Sequence, residues 1–258
     1  MSELFICPGC GAEGDINAEQ CEFCGNPFAP RLGSGGGQDE ADLMKKLPEL
    51  EAKAAKKPKD GQRQYNLGEV YHQLGNYTKA QECLEKATQL SPGLAEGFYL
   101  LAWNAGIKHG WMNTVVGENA KKAAALNPKF KQAQALVHLS AGVKHYYYDK
   151  SKQGEQSALK EFQKALQLDP DNTYAYFYAG CVCELSGDIK RAIDFFQRAA
   201  ARSRHDSAPG KEDAKIFARV GHLYYRLGDM AAAKKHLTEA AKLDSNNTAV
   251  RDILQSIR

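Results

Sequence analysis

Four cysteines near the start of the chain are the side chains best suited to chemistry. Cys7-Pro-Gly-Cys10-Gly11 and Cys21-Glu-Phe-Cys24-Gly25 are two Cys-x-x-Cys units separated by ten residues. Each turn sets two thiolates on one side of a tight loop, and two such loops brought together close a tetrahedral four-sulfur shell suited to Zn(II). The glycine after each pair permits a positive φ, so that backbone amides can point at the sulfurs. A segment of about 30 residues cannot hold itself together with a hydrophobic core, whereas structural zinc contributes roughly 10–16 kcal/mol in small peptides. Metal binding and folding are therefore expected to be one event here.

The repeated Cys-x-x-Cys-Gly resembles the short bacterial zinc ribbons over residues 5–28, and the resemblance implies a structural zinc ion. Iron in a rubredoxin-like site would use the same sulfurs, but the short spacer leaves no room for that family's aromatic core. No fifth ligand or water-activating glutamate accompanies the cysteines, so no open catalytic position is indicated. Residues 1–31 carry Glu3, Glu13, Asp15, Glu19 and Glu22 against Arg31 alone, which repels phosphate and suits a protein-docking module or a passive cap.

Residues 33–38, Gly-Ser-Gly-Gly-Gly-Gln, read as a flexible linker that separates two unlike parts. Beyond it the chain is self-similar. Ala-x3-Leu/Phe-x2-Ala recurs as Ala80, Leu84, Ala87; Ala158, Phe162, Ala165; Ala192, Phe196, Ala199; and Ala233, Leu237, Ala240, with a weaker copy at Val116, Ala120, Ala123. The spacing fits a unit of 34 residues, with insertions that include one of eight in the third copy. Ahead of each copy lies a helix with a small or apolar pair: Leu67-Gly68, Leu101-Ala102, Ala179-Gly180 and Val220-Gly221, with Val137-His138 degenerate. Gly75, Gly187 and Gly228 fall where the paired helices must turn, and Pro58, Pro92, Pro128 and Pro170 follow second helices.

These residues resemble the tetratricopeptide repeat over residues 61–247. The resemblance implies an all-α, right-handed superhelix of about five helix pairs. The expected organisation is a zinc ribbon at 1–32, the linker at 33–38, a capping half-repeat at 39–60, the repeats at 61–247 and a closing helix at 248–258. It also implies that the first helices line a concave groove. The positions that would face it include Tyr65, Tyr99, Trp103, Tyr174, Phe177 and Tyr225, an aromatic set of the kind that dominates peptide interfaces. The alternative is that these rings pack neighbouring helices together. The lysine and asparagine clamp of carboxylate-binding members is replaced at its positions on the first repeat by Tyr65 and Glu69.

Residues 108–164 hold ten lysines and four acids. Lys121, Lys122, Lys129, Lys131, Lys144, Lys150 and Lys152 form a basic stretch beside Tyr146, Tyr147 and Tyr148 that reads as a solvated face or as a surface for an anionic tail or nucleic acid. The overall charge of +3 is too small to identify such a partner by composition. There is no phosphate loop, and the seven histidines are scattered, so no catalytic residues are assigned. No run of about 18 apolar residues suits a membrane span, and no membrane insertion is expected. A non-enzymatic, cytoplasmic adaptor with protein or peptide partners is expected. A nucleic-acid-associated assembly factor using the basic stretch is the alternative.

Overall fold

The computed structural model describes residues 4–6, 13–15, 38–203 and 211–257. Two short strands, β1 (Leu4–Ile6) and β2 (Glu13–Asp15), pair antiparallel with Phe5 opposite Gly14. Cys7, Cys10, Cys21, Cys24 and residues 33–37 of the glycine run lie outside the described residues; Cys7 and Cys10 belong to the segment 7–12 that joins β1 to β2 in sequence.

Helix α1 (Gln38–Lys56) precedes five antiparallel pairs. These are α2 (Gly61–Gln73) with α3 (Tyr77–Leu90), α4 (Ala95–His109) with α5 (Thr114–Leu126), and α6 (Lys131–Tyr148) with α7 (Lys152–Leu168). They continue as α8 (Thr173–Leu185) with α9 (Ile189–Ser203) and α10 (Lys211–Arg226) with α11 (Met230–Leu243), and α12 (Thr248–Ser256) ends the stack. Each helix packs on its partner and then on the next pair, so the apolar core runs the length of the stack. First helices of adjacent repeats also touch, α2 against α4 and α6 against α8, which makes them the inner layer of the curve.

Local chemistry starts and stops these helices. Asp60, Asn76, Asn172 and Asp229 accept hydrogen bonds from the amides of Arg63, Lys79, Ala175 and Ala232, the orphan donors of a first turn. Gly75, Gly187 and Gly228 turn the chain between paired helices at φ 72°, 79° and 79°, a region where a Cβ is penalised. Close approach explains another set of glycines. A Cβ on Gly68 would lie 2.9 Å from Leu84, on Gly180 2.9 Å from Phe196, and on Gly221 2.6 Å from Leu237. The second-helix side chain thus sits directly on the bare backbone of the first.

The third repeat is built differently. Its α6 and α7 have 18 and 17 residues against 13 and 14 in α2 and α3, so the eight-residue insertion is taken up mainly as additional helix. His138 stands where other repeats have glycine or alanine, and its ring meets the Glu161 carboxylate at 2.6 Å. The close approach moves one turn along to Gly142, whose Cβ would lie 2.5 Å from Phe162.

Candidate functional site

The six aromatic positions expected in the groove divide into two groups and one buried residue. Tyr65 on α2 and Tyr99 and Trp103 on α4 are partly exposed. The Tyr99 and Trp103 rings lie 6.0 Å apart, and Trp103 meets Tyr174 on α8 edge-on at 5.8 Å, across the repeat between them. Tyr174 itself is only 1% exposed, covered by Trp111 at 4.5 Å. Burial makes it a packing residue that backs the groove rather than an anchor on its surface.

Carboxylates surround the first group. Glu69 accepts a hydrogen bond from the Tyr65 hydroxyl at 3.2 Å, one turn further along α2. Glu96 lies three residues before Tyr99 and so on the same face of α4. Burial and the charges of Glu69 and Glu96 push the Tyr65 phenol far above its usual range, while burial and Asp169 do the same to Tyr99. Burial also raises the Asp169 carboxyl, against the hydrogen bond that Asn172 donates to it. Among the described residues no Lys or Arg forms an ion pair with Glu69, Glu96 or Asp169.

The second group centres on Phe177, which packs edge-on against Tyr178 at 5.5 Å and Phe196 at 5.6 Å. Here the chain supplies its own cations. The Arg219 guanidinium lies 5.5 Å from the Phe177 ring and 5.7 Å from that of Phe196, and it donates to Glu184 at 2.9 Å. Lys150 sits 5.1 Å from the Tyr146 ring and 5.4 Å from that of Tyr147, while its ammonium donates to the Tyr146 carbonyl. Tyr225, partly exposed on α10, packs against the same cluster. Burial pushes the Cys181 thiol up to about 11 and raises Cys183 and Cys83, so these buried thiols are poor nucleophiles.

The basic stretch is spread over α5, α6, α7 and the turns between them. Lys121 and Lys122 lie on α5, Lys129 in the turn before α6, Lys131 and Lys144 on α6, Lys150 in the turn after it and Lys152 at the start of α7. Lys144 reaches back toward α5, its ammonium 3.8 Å from where a Cβ on Gly117 would lie, one turn before Lys121. Lys122 lies 5.5 Å from the Phe98 ring.

Trp111, Phe130 and Arg219 were not marked as site residues by periodicity. Phe130 takes the N-cap place of α6 without a capping side-chain oxygen and puts its ring 4.8 Å from Tyr99. Trp111 follows Gly110, whose φ of 88° turns α4 into α5, and its ring fills the space beside Gly106. A turn glycine followed by tryptophan was the available signal. Catalytic constellations do not appear among the described residues: His72 hydrogen-bonds Asn104 at 3.1 Å and His138 meets Glu161, while no three His, Cys, Asp or Glu side chains converge as a metal site. Nor is any described helix long and apolar enough to cross a membrane.

The helix pairs, their turn glycines and their close-packed Gly–Leu/Phe contacts define a stack of tetratricopeptide repeats. Sequence profiles described as tetratricopeptide repeat match residues 62–93, 214–247 and 156–208. A TPR repeat-containing protein of Methanocaldococcus jannaschii is 28% identical over 90 residues, 35% of this chain and 14% of that protein. Anaphase-promoting complex subunit 3 of Schizosaccharomyces pombe is 22% identical over 185 residues, 71% of this chain and 25% of that protein. The chain thus spans a quarter or less of either relative. Among solved structures, the APC/C hetero-tetramer Cut9–Hcn1 superposes with a TM-score of 0.64 at 19% identity, over 85% of this chain and 40% of that one. The helical part of this chain is therefore a TPR superhelix, a fold generally used as a protein-interaction scaffold.

Proposed function

We propose that the chain is a non-enzymatic adaptor that holds a segment of a partner protein against the inner face of its repeats. The partly exposed row of Tyr65, Tyr99 and Trp103 on first helices supports this reading most directly, because packed aromatics that keep part of their surface open supply anchoring area at little entropic cost. Two of the similar proteins are named as parts of a multi-protein complex, which agrees with a scaffolding role. A photo-crosslinking residue placed at exposed Gln62 on α2 tests it, with exposed Lys190 on α9 as the outer control. A partner captured from Gln62 and not from Lys190 supports the groove; equal capture from both positions sinks it.

The four cysteines are proposed to form a second docking module around structural zinc. Their donor set fits the metal, since four thiolates complete a tetrahedral shell and leave no position for catalysis. The pairing of β1 with β2 brackets the first Cys-x-x-Cys between two strands, as a metal-anchored hairpin requires. Cys7, Cys10, Cys21 and Cys24 would hold one zinc per chain. Metal analysis after purification without added zinc is expected to return close to one equivalent; iron, or less than half an equivalent of any metal, counts against the site.

A further inference from the structure

The two aromatic groups of the inner layer have the same construction, rings beside carboxylates, and differ in one component. Around Phe177 and Tyr146 that component is a cation from the chain itself, Arg219 or Lys150. Around Tyr65, Tyr99 and Trp103 no described Lys or Arg lies over a ring, although the carboxylates are present. Lys129 and Lys131 flank Phe130 next to Tyr99, yet both are exposed and neither pairs with Glu69, Glu96 or Asp169. A ring face attracts a cation within about 6 Å, and a carboxylate beside it strengthens the attraction. The missing component is thus a positive charge.

We infer that the groove formed by Tyr65, Tyr99 and Trp103, with Glu69, Glu96 and Asp169 at its rim, receives lysine or arginine side chains from an extended segment of a partner protein. This rests on the groove reading above and specifies the partner's chemistry. Charge complementarity selects the occupant. A neutral apolar peptide would leave the charges of Glu69, Glu96 and Asp169 beside Tyr65 and Tyr99 without a counter-charge, and nucleic acid would be repelled by them. The chain's own residues 1–31, with five acids and one arginine, are also the wrong sign to fill the groove.

Panning the full chain against a displayed library of random twelve-residue peptides tests the inference, and the selected peptides are then synthesised as probes. The chain has only two tryptophans, Trp103 and Trp111, and both lie at this site, so intrinsic emission reports occupancy without a label. The expected result is selection of peptides enriched in Lys and Arg that shift the tryptophan emission. Glu69→Gln combined with Glu96→Gln should weaken their binding about three- to tenfold, with the helical circular dichroism unchanged. Peptides with the lysine and arginine content of the unselected library, bound equally by the double variant and lost in Trp103→Ala, would overturn the inference and leave the groove reading intact. Cationic peptides that bind without an emission change would place the site elsewhere and overturn it. A chain that sediments as a dimer dissociated by the double variant would make the occupant a second copy's lysines, which also overturns it. Failure to select any peptide above a bare surface would remove both readings.

Discussion

The Trp103 and Phe177 regions show how one aromatic inner layer can serve two ends. Both rings sit on first helices, and both were read from the sequence as anchors by the same spacing. Phe177 is held between Tyr178 and Phe196 with Arg219 across it, so its surroundings are complete. Trp103 meets the rings of Trp111 and Tyr174 and neighbours Tyr99, while no described Lys or Arg lies over it. The difference lies in what the chain contributes from later repeats. Arg219 arrives from α10 to finish the second region, and nothing described plays that part in the first.

The largest expected effect separates the two regions by stability and affinity measured together. Phe177→Ala removes a ring from a completed cluster and should cost about 3 kcal/mol of folding stability, with peptide affinity per folded molecule unchanged. Trp103→Ala should cost no more stability than that and should lower affinity at least about tenfold, as loss of a central anchor does. Chemical denaturation and titration on both variants give the comparison. If Phe177→Ala loses affinity per folded molecule as heavily as Trp103→Ala, the two regions are one surface and the contrast between them is broken.

A smaller effect sharpens the account of the internal cation. Arg219→Met keeps the length and apolar contact of the side chain but removes the charge that meets Glu184 at 2.9 Å. Because the two side chains keep 37% and 22% of their surface exposed, the loss should be about 1–2 kcal/mol, below the cost of orphaning a fully buried partner. Urea midpoints of this variant and of Arg226→Met, whose contact with the same carboxylate is 3.8 Å, should rank in that order. The reverse ranking would mean that Arg219 is not what completes the Phe177 region.

Much of this architecture was legible from residue spacing, and the exceptions have physical causes. Gly75, Gly187 and Gly228 were readable as turns because only glycine adopts their φ without strain. Gly68, Gly180 and Gly221 were readable because a Cβ there would collide with the second helix. The third repeat was only partly readable, since lengthening both helices moves the close approach from the His138 position to Gly142 without disturbing the Ala158, Phe162, Ala165 pattern. Spacing left Tyr174 open between anchoring and packing, because its cover, Trp111, comes from a turn two repeats earlier and helix periodicity does not say where a turn side chain goes. The four cysteines were legible as chemistry from type and spacing alone, which is a property of the donor set and needs no fold to be recognised.

The smallest expected effect is also the most direct probe of the missing charge, because it should have opposite signs in supplied and unsupplied carboxylates. Burial alone would raise the Glu161 carboxyl, yet hydrogen bonds from Lys164 and His138, with their charges, hold it below its ordinary value. A depressed carboxyl stabilises the fold above its unfolded value, and that contribution is lost as pH falls through its folded value. Glu161→Gln should therefore lower stability by about 0.5–1 kcal/mol at pH 7, and the difference from the parent chain should shrink as the pH falls below about 4. Asp169 behaves in the reverse way. Burial raises its carboxyl, so ionisation opposes folding: the contribution is fully favourable below its unfolded value and is lost as pH rises through its folded value. Asp169→Asn retains an oxygen for the hydrogen bond from Asn172 and should leave stability at pH 7 unchanged or slightly higher, with Glu69→Gln within about 0.5 kcal/mol of the parent. Guanidinium or urea melts of the three variants at pH 7 and pH 4 measure all of this in one series. A clear loss of stability in Asp169→Asn or Glu69→Gln at pH 7 would show that those carboxylates already have a positive partner within the chain, and the groove would then have no charge left to offer a ligand.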